Sequence, residues 1–234
     1  MQTLTEKVVE QGLADRLLSD TLLARLLEGS PQRRHNLVNR AMKAGELLRL
    51  CRGRYVLDPR FRSAPPQPFA LAQAFVPGSY VSFETALSLH GWIPEAVYTT
   101  ASVTPGRKSA AYEHPIFGSF SFHPLAILPG RFLEMVERMQ LGQETMLVAK
   151  PARALLDLVC LRKVAWQGMG WLVDGLRIDE EHLRTITRTE IEILDSVYRQ
   201  KRVKLFLQSL AGELGLDPVD GQHEVVPKFS RSER

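Results

Sequence analysis

Basic and amide side chains recur at helical spacing in residues 31–44. At about 100° per residue, five of them fall on or beside one face of a predicted helix, and apolar residues take the other face. The five polar residues are Arg33, Asn36, Asn39, Arg40 and Lys43. Arginine binds phosphates and guanine edges, and asparagine can form two hydrogen bonds with adenine. This pattern favours a helix that contacts duplex DNA, and the alternative is an ordinary solvated face on a surface helix.

Three further arginines lie in residues 47–59, LLRLCRGRYVLDP, which predict a tight β-hairpin. Arg52 and Gly53 form its two-residue turn, because glycine tolerates the positive φ that hairpin turns require. The side chains expected to pack on the preceding helices are Leu48, Leu50, Tyr55 and Leu57. The arginines expected at the rim are Arg49, Arg52 and Arg54. A hairpin of this kind beside a recognition helix is a wing, which contacts phosphates or the minor groove.

The helix and the hairpin lie in the most basic segment of the 234-residue chain. Residues 31–62 contain nine Lys or Arg and two acids, whereas the whole chain has a net charge of +4. A concentrated basic patch is the electrostatic footprint of a nucleic-acid binder. The segment RSAPPQP at 62–68 then reads as a stiff linker. We therefore predict a DNA-binding domain, a linker, a second domain and a polar tail, at residues 1–62, 63–69, 70–214 and 215–234.

The first 62 residues contain start and stop signals for three short helices. Ser19 or Asp20 can cap the second helix, and Ser30 can cap the third, which has proline at its first position. The glycines expected to end the three helices are Gly12, Gly29 and Gly45. Three helices with a tight turn between the last two, followed by a hairpin, predict a winged helix-turn-helix.

The second domain is predicted to be mixed α/β, so the fold class of the chain is α+β. The strand candidates are residues 97–103, 110–116, 119–123 and 145–149. Ser82 can cap a helix that ends at Gly91, and Pro151 opens a largely apolar helix. The sequence TRTE at 187–190 has the form of a capping box, and it predicts one long helix towards Gly212.

Two sets of charged residues in the second domain have competing interpretations. Arg153 and Asp157 are four residues apart on the apolar helix, which favours a buried structural pair over a functional one. Near the end of the chain, four cations form either a solvated face or a second contact surface for DNA, RNA or a protein. These cations are Arg199, Lys201, Arg202 and Lys204.

Signatures of enzymes, cofactors and metal sites are missing from the sequence. It has no phosphate-binding glycine loop, no His-Glu-x-x-His and no Gly-x-Ser-x-Gly. The histidines are scattered, and Cys51 and Cys160 lack zinc-ligand spacing. No apolar run approaches the length of a membrane helix. We expect no catalytic residue, cofactor, metal or membrane partner, and a cytoplasmic location.

Three segments in order resemble the AbiEi family of antitoxins. They are NLVNRAMKAGELLRLCRGRYVL at 36–57, SYVSFETALSLHGWIP at 79–94 and VAKPARALLDLV at 148–159. The resemblance implies a bacterial type IV toxin–antitoxin system of abortive infection, which defends against phage. It also implies a winged helix that binds operator repeats and represses its own operon. The second domain would counteract a co-encoded nucleotidyltransferase toxin, directly or indirectly.

Two alternatives to an antitoxin remain open at the level of sequence. The first is a stand-alone winged-helix regulator whose second domain senses a ligand or dimerises. The second is a nucleic-acid enzyme that uses the winged helix for targeting. A neighbouring nucleotidyltransferase gene would favour the antitoxin, and activity lost on changing one acid, such as Asp157, would favour the enzyme.

Overall fold

A computed structural model describes residues 3–141 and 144–216, and it combines helices with β-sheets. The predicted α+β class is therefore confirmed. The elements of the first 62 residues are α1 (Leu4–Glu10), β1 (Leu18–Ser19), α2 (Asp20–Leu26), α3 (Pro31–Lys43), β2 (Leu47–Cys51) and β3 (Arg54–Leu57). The strands form an antiparallel sheet in the order β1-β3-β2.

The predicted helix caps in this part of the chain are confirmed. The hydroxyl of Ser19 accepts a hydrogen bond from Leu22 N at 3.0 Å, and that of Ser30 accepts one from Arg33 N at 3.3 Å. Caps of this kind satisfy amides that have no partner within the helix. The helices and one face of the sheet enclose a core that includes Leu4, Val8, Leu18, Leu23, Val38, Leu47 and Leu57.

The second part of the chain is built on a mixed sheet. Its elements are α4 (Pro68–Phe75), β4 (Tyr80–Val81), α5 (Phe83–Leu89), β5 (Thr99–Val103), β6 (Ala110–His114), β7 (Gly118–His123), β8 (Val136–Leu141), β9 (Glu144–Ala149), α6 (Pro151–Arg162), α7 (Glu180–Arg184), α8 (Arg188–Asp195) and α9 (Lys201–Glu213). The strand order is β6-β7-β5-β4-β9-β8, with β4–β9 and β5–β7 parallel. The predicted strands are confirmed as β5, β6, β7 and β9, and sequence reasoning missed β4 and β8.

The long helix predicted from residue 187 is wrong, because the chain leaves the helix between α8 and α9. Its start is correct: Thr187 and Glu190 form the expected capping box. Residues 196–200 then break the helix, and Tyr198 in this break pairs with Ile127 in a β-bridge. From this break, the buried Tyr198 donates a hydrogen bond to Asp157 in the core, and such tertiary contacts can override helix propensity.

The segment predicted as a linker is attached to the first part of the chain. The carboxylate of Asp15 accepts hydrogen bonds from Ser63 N at 2.7 Å and Ala64 N at 3.1 Å, and the Ser63 hydroxyl also binds it. These bonds, led by that of the Ser63 hydroxyl, lower the pKa of Asp15. Helix α4 begins at Pro68, inside the range 63–69 predicted as linker. The predicted tail lies beyond the described residues from 217 onwards.

The two faces of the β2–β3 hairpin pack differently from the sequence prediction. Residues paired across antiparallel strands share a face, and the register pairs Leu47 with Leu57 and Leu48 with Val56. Leu47 and Leu57 pack on the helices, as expected for Leu57 but not foreseen for Leu47. Leu48 and Leu50, predicted to pack there, instead lie with Val56 against the second part of the chain. Their neighbours on that side are Leu71, Ala72, Phe120 and Phe122.

Candidate nucleic-acid interface

Helix α3 has a buried face and a polar face, as the sequence predicts. Val38 and Ala41 are buried in the core formed with α1 and α2. On the opposite side, Arg33, Asn36, Arg40 and Lys43 are exposed and Asn39 is half-buried. Among the described residues, no carboxylate forms an ion pair with the cations of this face. The face therefore carries positive charge that remains available to an anionic partner.

Arg34 is held away from that face by the turn before α3. Its position in the helix falls on the side of Val38, where an extended cation would enter the core. Its Nη1 instead donates to the carbonyl oxygen of Gly29 at 2.6 Å. The side chain bends back over the helix start, so the polar face on the other side is left to the predicted residues.

The turn of the hairpin is fixed to the start of α2. Gly53 has a φ of +71°, and its carbonyl oxygen accepts a hydrogen bond from Asp20 N at 3.1 Å. A Cβ at Gly53 would lie 2.6 Å from Asp20 Oδ2, so a larger residue would disturb this contact. Arg52 is exposed beside the turn. The turn therefore holds its arginine in a set position relative to the helices.

The three hairpin arginines differ in their freedom. Arg49 and Arg52 are exposed, whereas Arg54 is half-buried. Arg54 Nη1 donates to the carbonyl oxygen of Gly53 at 3.1 Å, and Arg49 Nε donates weakly to that of Cys51 at 3.4 Å. Arg52 is thus the residue of this set that is most accessible to a partner.

A cleft of about 500 Å³ separates the start of α3 from β3. Its walls include Asp20, Arg34, His35 and Tyr55. Burial, followed by the charge of Asp20, raises the pKa of Tyr55. Sequence reasoning missed this cleft, because Asp20 and His35 carry no motif and only the fold brings them beside the hairpin.

The cations predicted near the end of the chain do not form one free surface. Arg199 and Lys201 are exposed, but Arg199 precedes α9 rather than lying on it. Arg202 donates to the carbonyl oxygen of Lys163 at 2.7 Å, at the end of α6. Lys204 Nζ lies 3.9 Å from Asp195 Oδ2. Two of the four cations therefore have partners within the chain.

Arg153 and Asp157 form the buried pair that the sequence favours. Arg153 Nε lies 2.9 Å from Asp157 Oδ1, and neither side chain is exposed. The same Oδ1 accepts a hydrogen bond from the Tyr198 hydroxyl at 2.8 Å, and Oδ2 accepts hydrogen bonds from Ser82 Oγ at 2.7 Å and the Tyr80 hydroxyl at 3.0 Å. Ser82 precedes α5 as predicted. Its hydroxyl donates to Asp157 and makes no capping hydrogen bond to the helix, so the predicted side-chain cap is wrong.

The environment of Arg153 explains how a charged side chain is tolerated in the core. Its Nη1 donates to the carbonyl oxygen of Glu134 at 2.8 Å and its Nη2 to the hydroxyl of Tyr80 at 2.6 Å. Its guanidinium carbon lies 5.4 Å from the ring centre of Tyr80 and 5.3 Å from that of Tyr198. Burial opposes the charge, but Asp157 and the tyrosines raise the pKa of Arg153. Asp157 is thus enclosed by partners that hold the fold together.

The part of the chain that the structure describes shows neither a metal-binding cluster nor a membrane-spanning helix. There, no three His, Cys, Asp or Glu side chains gather in a way that could hold a metal ion. Among the same residues, no helix is long and apolar enough to cross a membrane. Burial raises the pKa of the Cys160 thiol to about 11, so this cysteine is protonated at neutral pH.

Comparison with known proteins identifies no family for this chain. No family model matches the sequence, and no similar curated protein was found.

Proposed function

We propose that residues 3–62 form a winged helix-turn-helix that binds duplex DNA. The element order α1-β1-α2-α3-β2-β3 supports this proposal, because it places a hairpin directly after the last helix of the turn. The observation that carries the proposal is the polar face of α3. It presents two arginines, a lysine and two asparagines without intramolecular ion pairs, opposite a face that anchors the helix in the core.

In this proposal, α3 enters the major groove and its side chains read base edges. Asn36 and Arg40 are exposed one helical turn apart, which suits contacts to neighbouring bases. The β2–β3 hairpin acts as the wing. Its exposed Arg52 contacts phosphate or the minor groove, and it adds affinity that is independent of sequence.

We further propose that the chain is a cytoplasmic bacterial antitoxin of the AbiEi type, which represses its own operon and counteracts a nucleotidyltransferase-like toxin. The resemblance of three segments supports this role. Two of these segments also meet in space: Tyr80 and Ser82 of the second contact Arg153 and Asp157 of the third. Contact of this kind is expected when separate motifs belong to one fold.

DNA binding can be tested with the full-length chain and fluorescently labelled DNA. The DNA upstream of its own gene should bind at least about a thousandfold more tightly than a shuffled duplex at physiological salt, as specific regulators do. Equal affinity for both duplexes would contradict the regulatory role, and no affinity for either would contradict DNA binding.

The antitoxin role needs a separate experiment. The chain is co-expressed with a nucleotidyltransferase-like gene that neighbours its own, and growth is measured. We expect the chain to restore growth that the toxin gene alone prevents. If growth is not restored while the upstream DNA is bound, the chain is a regulator without antitoxicity.

A further inference from the structure

A cleft of about 610 Å³ opens over the sheet of the second part of the chain. Ala101 of β5 and Ser121 of β7 line it, and they are paired neighbours on adjacent parallel strands. Phe83 at the start of α5 and Arg162 at the end of α6 also line the cleft. Its volume falls in the range of small-molecule sites. The small side chains of Ala101 and Ser121 form the floor between these walls.

Polar groups on the floor have no hydrogen-bond partner within the described residues. They are the hydroxyls of Thr99 and Ser121 and the ring nitrogens of His123, all half-buried. By contrast, His90 Nε2 lies 2.9 Å from Ala149 O, and the Thr85 hydroxyl donates to Thr99 O at 3.0 Å. These groups are partly accessible to solvent, and none of them is a buried polar atom without a partner. The unpaired groups of this floor are therefore available to a ligand.

The imidazole of His123 is suited to a neutral hydrogen-bonding partner. Burial lowers its pKa, against the opposing effect of Glu84. The lowered pKa favours the uncharged ring, in which one nitrogen donates a hydrogen bond and the other accepts one. The ring centre lies 5.7 Å from that of Phe83, with the two rings nearly perpendicular. This contact places the imidazole between an aromatic wall and the floor of the cleft.

The wall residue Phe83 has a strained backbone. It is fully buried and has a φ of +56°, a conformation that side chains other than glycine rarely adopt. The preceding residue, Ser82, is anchored to Asp157 by its hydroxyl. Strain of this kind persists only when the surroundings enforce it, and it concentrates at ligand sites. The strained backbone of Phe83 holds its ring beside the imidazole of His123.

The rim of the cleft carries balanced charge and an exposed aromatic ring. Glu84 and Arg162 form a partly exposed ion pair there, so an acceptor and several donors stand side by side with no net charge. Tyr98 also lines the cleft and is 92% exposed, which leaves its ring free to stack. An anionic ligand would find no uncompensated cation at this ion pair. A flat, uncharged ligand with donors and acceptors along its edge fits these groups better.

We propose that this cleft binds a nucleobase, with its edge read by His123, Ser121 and the Glu84–Arg162 pair. The small side chains of Ala101 and Ser121 leave room for the plane of the base, and the exposed ring of Tyr98 supplies an aromatic contact. The base can belong to a free nucleoside or to a single-stranded nucleic acid, since both present the same edge. The site is separate in sequence and in its lining residues from the proposed DNA-binding helix α3.

The test is isothermal titration of the full-length chain with adenosine, guanosine, cytidine and uridine, and with short single-stranded RNAs of each base. We expect saturable 1:1 binding with a preference for one base. His123→Ala should weaken binding roughly tenfold or more, because it removes a hydrogen bond to an otherwise unpaired partner. Ser121→Leu should abolish binding by filling the floor. His114→Ala removes an imidazole from the neighbouring strand and should leave the affinity unchanged.

Comparing the nucleoside titrations with the RNA titrations shows whether the bound base is free or part of a strand. Tighter binding of one RNA than of its nucleoside, lost in His123→Ala, assigns the site to a base within a strand. Equal affinities assign it to the free nucleoside. If no nucleoside or RNA binds saturably at millimolar concentration, the proposal is wrong. It is also wrong if both cleft variants, folded by circular dichroism, bind as the wild type does. None of these readings depends on operator binding or antitoxicity.

Discussion

The hydroxyl of Tyr198 donates a hydrogen bond to Asp157 Oδ1 over 2.8 Å, although the two residues are 41 positions apart. This contact joins the break between α8 and α9 to the middle of α6. Together with Tyr80 and Ser82, it encloses the carboxylate that balances the buried Arg153. The network thus connects segments from three places in the chain, and its loss should affect the whole second part.

Removing one member of the buried pair should strongly destabilise the chain. Arg153→Met leaves the Asp157 carboxylate without its cation, which costs about 3–5 kcal/mol at buried sites. Replacing both residues with leucine should recover part of this loss, because no charge is then stranded. The free energy of unfolding is measured with urea. The control is Arg184→Met, which breaks the exposed pair with Glu180 and should change stability little. Equal stability of Arg153→Met and the wild type would contradict the structural role.

Changing the wing arginines should weaken binding to every DNA sequence alike. Each phosphate contact that is lost should reduce the slope of log K against log salt by about 0.9. We expect Arg52→Ala with Arg54→Ala to flatten this slope, and Arg52→Ala alone to account for most of the change, since Arg54 is half-buried. Arg107→Ala, on an exposed loop, is the matched control. An unchanged slope in the double variant would remove the hairpin from the interface.

Changes on α3 should act on sequence preference instead. Asn36→Ala and Arg40→Ala each remove a proposed base contact, at about 1–3 kcal/mol of discrimination. Competition between operator duplexes with single base changes measures this effect. We expect each variant to lose preference at one or two positions and to keep its affinity for shuffled DNA. A uniform loss for all duplexes would mean that these residues bind phosphate and do not read bases.

If the chain is the proposed antitoxin, reversing the exposed cations near α9 should abolish protection from its toxin. Arg199→Glu with Lys201→Glu is the appropriate variant, because Arg202 and Lys204 already have partners within the chain. The proposed nucleotidyltransferase toxin is expected to present acidic metal-binding groups, which reversed charges would repel. Growth on co-expression is measured, with operator binding as a check on folding. Reversal of Arg107 and Lys108 provides the control. Full protection by the Arg199 and Lys201 variant would exclude this surface from antitoxicity.

The contact between the two parts of the chain should depend on pH through Glu144. Its Oε1 accepts a hydrogen bond from Leu17 N at 2.7 Å, and burial raises its pKa above the usual carboxyl value. The folded chain therefore holds this proton at a higher pH than the unfolded chain does. Stability falls as the pH rises through the raised pKa. Glu144→Gln cannot lose a proton, so its stability relative to the wild type should increase over that range. A constant difference from pH 4 to pH 7 would contradict this assignment.

Local signals in the sequence predict much of the fold. Ser30 followed by Pro31 marks the start of α3, and Thr187 with Glu190 marks that of α8. Sequence reasoning missed the strand β8, VERMQL, because it lacks the run of β-branched residues that signals a strand. Its charged residues suit its position at the edge of the sheet. The break at Tyr198 was missed for a different reason. It satisfies Asp157, a partner that only the tertiary fold supplies.

The candidate sites also divide into those that local sequence patterns predict and those that only the fold assembles. Arg33 and Asn36 follow from helical periodicity, which is a local property of the sequence. The cleft around His123 does not, because α5, β5, β7 and α6 each contribute one or two unremarkable residues to it. The sequence also could not predict which face of the hairpin packs against the second part of the chain, since nothing local distinguishes Leu48 from Leu47. Their destinations depend on the register with β3 and on what packs behind it.

The β2–β3 hairpin has apolar side chains on both faces, and each face belongs to a different hydrophobic core. The two parts of the chain are therefore expected to unfold in a partly coupled way, because loosening one part removes packing contacts from the other. A fragment that ends in the segment after Arg62 would expose Leu50 and Val56 to water, and the remaining fragment would expose Phe120 and Phe122. Such pieces are prone to associate through these surfaces. Loss of function in a truncated chain would report this broken contact, so substitutions in the intact chain are the better way to separate the proposed DNA binding from the proposed antitoxicity.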